Sequence, residues 1–289
     1  MESEKLKGVI IAMPTPLTEN EDIDTKSLRN LLDYCISEGV NGLMIMGTMG
    51  EGAALFDSQR QILLETSISH SAGRIPILAT VSAASTRKSI EYAKAADKAG
   101  ADYIVCTTPF YYKFPDAESL ILHMKKIADN VNSPLIFYNA AGFTGNHVDV
   151  NTTEKILNME GVAGIKDSSC NYGNFMELLR RYPNRNCRPG FIMQGDESVF
   201  DSSLLMGADG VISGGGVAFI KLLLELFKAG YSNDKFKAME HQREFTRQLE
   251  NLLLPNPQRN WITNIKKKLV ENRIISNAYV TAPFLSSGQ

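Results

Sequence analysis

Short apolar runs recur along the chain, and between them hydrophobic positions return every three or four residues. The runs are too brief for helices and suit strands buried on both faces, while the intervening period suits amphipathic helices. Residues 9–13 form the first run, closed by the rigid turn Pro14-Thr15-Pro16. Asp24 or Thr25 can cap the helix that follows, where Leu28, Leu31, Leu32, Cys35 and Ile36 share a face and Gly39 marks the end. Further strands are expected at 42–46, 76–81, 102–107, 134–138, a run ending on Lys166, 191–194 and 209–213. Between them the pattern predicts helices at 58–72, from Ser85 or Thr86 to Gly100, and at 117–131. Residues 139–145 read as a loop, and Asn151 or Thr152 caps a short helix. Helices at 175–182 and 199–206 follow, then an apolar helix reaching about Gly230.

Eight strands alternating with helices argue for a parallel sheet joined by right-handed crossovers. Eight units in roughly 220 residues match an α/β fold of the (β/α)8 TIM-barrel kind. A doubly wound open sheet is the alternative, since pattern alone does not show closure. No strand is followed by a G-x-G-x-x-G turn, which weakens its nucleotide-binding form. The strand signal disappears after residue 230. Residues 233–254, the break Pro255-Asn256-Pro257 and residues 261–270 read as a small C-terminal helical extension. The expected division is a barrel over 1–230 and an extension over 231–289.

Composition narrows the function. A net charge near −2 over 289 residues offers no broad attraction for nucleic acid. No apolar run approaches the ~20 residues that span a bilayer, and Met1-Glu2-Ser3-Glu4-Lys5 lacks a signal-peptide core. Cys35, Cys106, Cys170 and Cys187 are scattered, so free thiols in a reducing compartment are expected. His70, His123, His147 and His241 stand at no metal-ligand spacing from one another, and no metal is expected. These features describe a soluble cytoplasmic protein.

In a (β/α)8 barrel the active site lies at the C-terminal ends of the strands. Those ends collect Thr48, Tyr111, Tyr138, Lys166, the run Gly195-Asp196-Glu197, and Ser213. A lysine ending a buried run either emerges into solvent or stays inside, where desolvation favours the neutral, nucleophilic amine. With two phenols and a threonine on the same rim, the second option suits amine catalysis on a carbonyl. Each neighbour has a simpler reading. The tyrosines could pack the rim, Thr48 could cap a helix, and Asp196 and Glu197 could serve a helix dipole. Gly47, Gly50 and Gly52 could be turn residues only, or could let backbone N–H groups approach a carboxylate.

Gly47-Thr48-Met49-Gly50-Glu51, Thr108-Pro109-Phe110-Tyr111-Tyr112, Tyr138-Asn139 with Thr144-Gly145, and Gly164-Ile165-Lys166 stand in an order that resembles one family. It is the dihydrodipicolinate synthase / N-acetylneuraminate lyase family of class I, Schiff-base-forming pyruvate lyases. The similarity runs nearly the whole length, through Gly207-Ala208-Asp209-Gly210-Val211-Ile212-Ser213 and Pro255-Asn256-Pro257. It implies that Lys166 forms an imine with pyruvate or another 2-keto acid, and that no metal or organic cofactor takes part. Tyr138 would then move protons, Thr48 would link Tyr138 to Tyr111, and that tyrosine would reach into a neighbouring subunit's site. The backbone of Thr48 and Met49 would hold the carboxylate and Ile212 would contact pyruvate. Phe143, Gly195, Asp196 and Glu197 would face the aldehyde partner. The resemblance also implies a homo-oligomer, a tetramer or a dimer.

Departures from the family's branches bear on the substrate. The synthase branch usually reads G-T-T-G-E, where this chain has Met49 in place of the second threonine. That branch also places an arginine where this chain has Phe143, and the arginine binds a carboxylate that phenylalanine cannot. An apolar residue there resembles the sialic acid lyases and the 2-keto-3-deoxy sugar acid aldolases. Those lyases commonly have Gly-Tyr-Asp-Glu where this chain has Gly195-Asp196-Glu197-Ser198. The expected activity is cleavage or formation of a C–C bond between pyruvate and an aldehyde, from a sugar-acid or sialic-acid-like 2-keto acid. The alternatives are 4-hydroxy-tetrahydrodipicolinate synthase, a dehydratase using the same imine, and a non-catalytic barrel with a binding role.

Overall fold

A computed structural model describes residues 6–114, 116–253 and 261–286. In chain order the elements are β1 (Gly8–Ala12), α1 (Thr25–Glu38), β2 (Gly42–Ile45), α2 (Asp57–Ser71), β3 (Ile77–Thr80), α3 (Thr86–Ala99) and β4 (Tyr103–Thr107). They continue as α4 (Ala117–Ala128), β5 (Leu135–Asn139), α5 (Ala141–Thr144), α6 (Val150–Leu157), β6 (Val162–Asp167), α7 (Tyr172–Arg181), β7 (Phe191–Gln194), α8 (Phe200–Leu205) and β8 (Gly210–Ser213). Last come α9 (Ile220–Tyr231), α10 (Lys235–Leu253) and α11 (Trp261–Glu271).

All neighbouring strands pair in parallel, and β1 closes on β8 through Gly8↔Gly210, Val9↔Val211 and Ile10↔Ile212. That closure excludes the open sheet and makes the fold a (β/α)8 barrel. Nearly every strand residue is buried, as expected when side chains fill the barrel and helices cover its outside. Local chemistry sets the helix ends. The Asp24 carboxylate accepts from the Ser27 amide at 3.0 Å to start α1, and Gly39, at φ 85°, stops it.

Several details differ from the sequence pattern, among them α7, which starts at Tyr172 rather than 175 because Asn171 caps it by accepting from the Asn174 amide at 3.1 Å. The cap of α6 is Asp149, which accepts from the Thr152 amide at 2.7 Å, so the helix begins before Asn151. Helix α4 stops at Ala128 rather than 131, where the polar pair Asp129-Asn130 follows. The loop after β5 holds one helical turn, α5, ended by Gly145 at φ 72°. Strand β6 runs one residue past Lys166, because Asn139 and Asp167 continue its pairing with β5.

The C-terminal helices pack on the barrel. Phe245 of α10 meets Phe200 of α8 at a ring separation of 6.1 Å and Phe219 at 6.4 Å. Burying an aromatic side chain of this kind contributes about 1.5–3 kcal/mol. The Pro255-Asn256-Pro257 break lies outside the described residues. No helix among the described residues is long and apolar enough to cross a membrane.

Candidate active site

Strand register brings the chemistry together. Tyr138 on β5 and Lys166 on β6 are direct partners in the parallel ladder. The Lys166 Nζ sits 4.1 Å from the centre of the Tyr138 ring and 3.8 Å from Met44 Sδ across the barrel. Lys166 is only 4% exposed, so it does not emerge into solvent. Among the described residues no carboxylate stands within ion-pair distance of it.

Lys166 opens into a cavity of about 390 Å³. Thr48, Met49, Tyr138, Phe143 and Ile212 line it, together with Gly195, Asp196 and Glu197. Of the residues that the sequence placed at the strand ends, Tyr111 and Ser213 lie outside the lining of this cavity, and the Ser213 hydroxyl is turned to Glu197 instead. Tyr111 projects from the surface, 85% exposed at φ 81°, with its ring edge-on to Tyr112 at 5.0 Å. Burial pushes the Tyr138 phenol up, but the Lys166 ammonium and hydrogen bonding with Thr48, Ser168 and Lys166 outweigh it. The phenol is held below its usual range.

Gly195 has a steric reason to be glycine. A Cβ there would fall 2.1 Å from Ser168 Oγ and 2.9 Å from Lys166 Cε, so a larger residue would crowd both side chains. Asp196 and Glu197 have different surroundings. Asp196 Oδ1 accepts from the Ser198 amide at 3.0 Å and its hydroxyl at 2.7 Å, which ties that oxygen into its own turn. Glu197 Oε1 accepts from the Gly215 amide at 2.7 Å and from the Ser213 hydroxyl, fixing it to the end of β8. Burial raises the Glu197 carboxyl above its usual range, against the lowering effect of those bonds and of Lys166. The Asp167 carboxyl is also raised by burial, although the Ser169 hydroxyl and amide and the Asn139 side chain donate to it.

The sequence reading missed the far wall. Thr246, Leu249, Glu250 and Leu253 of α10 and Trp261 of α11 line the cavity, so the extension forms part of the site. The signal was available in the placement of the chain's single tryptophan just beyond the Pro-Asn-Pro break. Ser168 and Met44 were missed as well. Both lie near residues already singled out, and only the fold shows that they face inward. Among the described wall residues Lys166 is the one cation, against Asp196, Glu197 and Glu250. No cluster of metal-ligating side chains occurs among the described residues.

The sequence profile of the dihydrodipicolinate synthetase family matches residues 5–288. The chain belongs to this family. The 4-hydroxy-tetrahydrodipicolinate synthase of Nitrosospira multiformis is 31% identical over 258 residues, 89% of this chain and 84% of that one. The chloride-inhibited dihydrodipicolinate synthase of Acinetobacter baumannii, solved with pyruvate, superposes with a TM-score of 0.88 at 30% identity. The match covers 99% of this chain and 94% of that one. CdNal from Clostridium difficile, solved with mannosamine, shares the fold at TM-score 0.89 and 24% identity, over 98% of this chain and 94% of that one. Membership of the dihydrodipicolinate synthetase family makes the chain an enzyme of the class I pyruvate aldolase kind.

Proposed function

We propose that the chain is a Schiff-base lyase that cleaves a 2-keto acid to pyruvate and an aldehyde, or runs the reverse condensation. The substrate class we assign is a neutral polyhydroxy acid of the 2-keto-3-deoxy sugar acid or sialic acid kind. The observation that carries the reading is the Lys166 amine buried against Tyr138 in one cavity. The amine adds to the keto carbon, and loss of water from the carbinolamine gives the imine. The protonated imine draws electrons from the C3–C4 bond. As that bond breaks, the C4 hydroxyl gives up its proton and becomes the aldehyde carbonyl, leaving an enamine. Protonation at C3 and addition of water then release pyruvate.

Tyr138 is assigned the proton transfers, favoured by a phenol held below its usual range. Thr48 beside it relays the proton. The Thr48 and Met49 amides are assigned the carboxylate, and Ile212 the methyl end of pyruvate. Phe143 and Gly195 border the aldehyde half, where Asp196 and Glu197 bind hydroxyls. The reaction needs no cofactor beyond the imine itself. Tyr111, exposed and outside the lining of its own chain's cavity, is assigned to a second copy. A further cavity of about 380 Å³ behind Thr48 and Tyr138, bordered by Phe110 and Phe284, gives its ring a place to enter. We accordingly expect a homo-oligomer, a tetramer or a dimer, acting in the cytoplasm. We assign residues 1–230 to the catalytic barrel and 231–289 to the extension.

The names of the relatives favour a second reading, 4-hydroxy-tetrahydrodipicolinate synthase, with aspartate semialdehyde as the aldehyde. Phe143 and the three wall carboxylates argue against a second anionic group. Cleavage assays that measure pyruvate release from sugar-type 2-keto acids, alongside condensation assays with aspartate semialdehyde, separate the two. A higher kcat/KM for the semialdehyde would overturn the first reading.

A further inference from the structure

The 47–52 loop, to which the substrate carboxylate is assigned, has a shape that the chain does not adopt unaided. Met46 at φ 57° and Glu51 at φ 55° occupy the left-handed region without being glycine. At Gly52 a Cβ would lie 1.9 Å from the Met46 carbonyl oxygen. Such a conformation persists only where its surroundings over-determine it. Here they do. The Thr15 hydroxyl donates to the Gly50 carbonyl at 2.6 Å, and the buried Arg60 donates to the Gly52 carbonyl at 2.7 Å and the Thr80 carbonyl at 2.6 Å.

The strongest hold comes from the far end of the chain. Lys266 of α11 meets Glu51 Oε1 at 2.5 Å, with both side chains completely buried. Lys266 also donates to the Tyr279 carbonyl at 2.6 Å. Glu51 Oε2 accepts from the Thr281 amide at 2.6 Å and its hydroxyl at 2.9 Å. Each ionic atom is thus satisfied by a partner more than two hundred residues away in sequence. A buried ion pair of this kind adds little net stability over an apolar pair of similar volume. The arrangement instead fixes a backbone, and the backbone it fixes carries Thr48 and Met49.

We propose that the Glu51–Lys266 pair, anchored by Thr281, is a positioning device for the carboxylate-binding loop. Through it the C-terminal segment sets the enzyme's affinity for the substrate carboxylate. The inference rests on the assignment of the Thr48 and Met49 amides made above. Its consequence is selective. Loosening the loop weakens substrates that present a carboxylate and spares carbonyl compounds that present none, whereas a loss of general stability affects both alike.

The test compares borohydride trapping of pyruvate and of methyl pyruvate, whose ester lacks the anionic carboxylate, by intact mass. The proteins are wild type, the charge-free double variant Glu51→Gln/Lys266→Met, and the milder Thr281→Val, which removes one hydroxyl from Glu51. The double variant should need roughly tenfold or more pyruvate for half-maximal trapping, since small misplacements of binding groups carry losses of this size. Its methyl pyruvate dependence should stay within about twofold, and Thr281→Val should move in the same direction by about threefold. Equal shifts for both compounds, or none, in any variant that retains its circular dichroism overturn the inference. If the double variant does not fold, Thr281→Val alone decides. Wild type that fails to trap pyruvate would instead overturn the imine reading itself.

Discussion

Replacing Phe143 by arginine should redirect the enzyme toward an aldehyde that carries a carboxylate. Phe143 belongs to the one-turn helix α5 and borders the cavity into which Lys166 points. Arginine there would present a planar pair of donors, and charge-assisted hydrogen bonds of that kind are worth about 1.5–3 kcal/mol net. At 1.4 kcal/mol per tenfold, the corresponding range is roughly 10–150-fold. Phe143 is 60% exposed, so solvent screens much of the interaction and the lower end applies. We expect kcat/KM for condensation of pyruvate with aspartate semialdehyde to rise about tenfold relative to cleavage of a neutral sugar-type 2-keto acid. The gain should shrink in high salt. Paired steady-state assays of wild type and Phe143→Arg at two ionic strengths provide the measurement. An unchanged ratio, or a wild type already as efficient with the semialdehyde as with the sugar-type acids, would show that another group receives the carboxylate.

Tyr138→Phe should lower turnover by about 10²–10⁴-fold while pyruvate trapping on Lys166 persists, because the ring remains and only the proton shuttle is lost. A few-fold effect on turnover would mean that another group moves the proton. Gly195→Ala should suppress trapping in a folded protein, since its Cβ would fall 2.9 Å from Lys166 Cε; undiminished trapping would contradict that geometry. His123 is buried between Thr86 and Cys106, and burial pushes its imidazole down to about 4. Below the ordinary histidine range the unfolded chain takes up a proton that the folded chain refuses. Stability therefore falls between about pH 6.5 and 4, by on the order of 3 kcal/mol from this group. Denaturant titrations should show a shallower acid loss for His123→Gln than for wild type, and parallel profiles would exclude the histidine as the cause.

Much of the barrel was legible because its strands are short buried runs with glycine, proline or capping residues at their ends, as at Asp24 and Gly39. Where a cap lay two residues before the expected polar cluster, as Asp149 does, the helix start was misplaced. The lysine and its tyrosine partner were legible from their positions at strand ends. Their direct pairing follows from the β5–β6 register, and pattern alone does not give register. Beyond the hint given by Trp261, the contribution of α10 to the cavity was hidden, since an amphipathic helix shows that it packs but not what it packs against. Lys266 was hidden for a related reason. It begins the run Lys266-Lys267-Lys268, which reads as a solvated face, and only the fold brings Glu51 to its ammonium.

The central claim is that Lys166 is the nucleophile, and covalent trapping tests it most directly. Incubation with pyruvate and borohydride, followed by intact mass and peptide mapping, should add one reduced pyruvyl group to each chain, on Lys166. Lys166→Ala should remain unlabelled. Label of undiminished extent in that variant, or on any other lysine of wild type, would contradict the account.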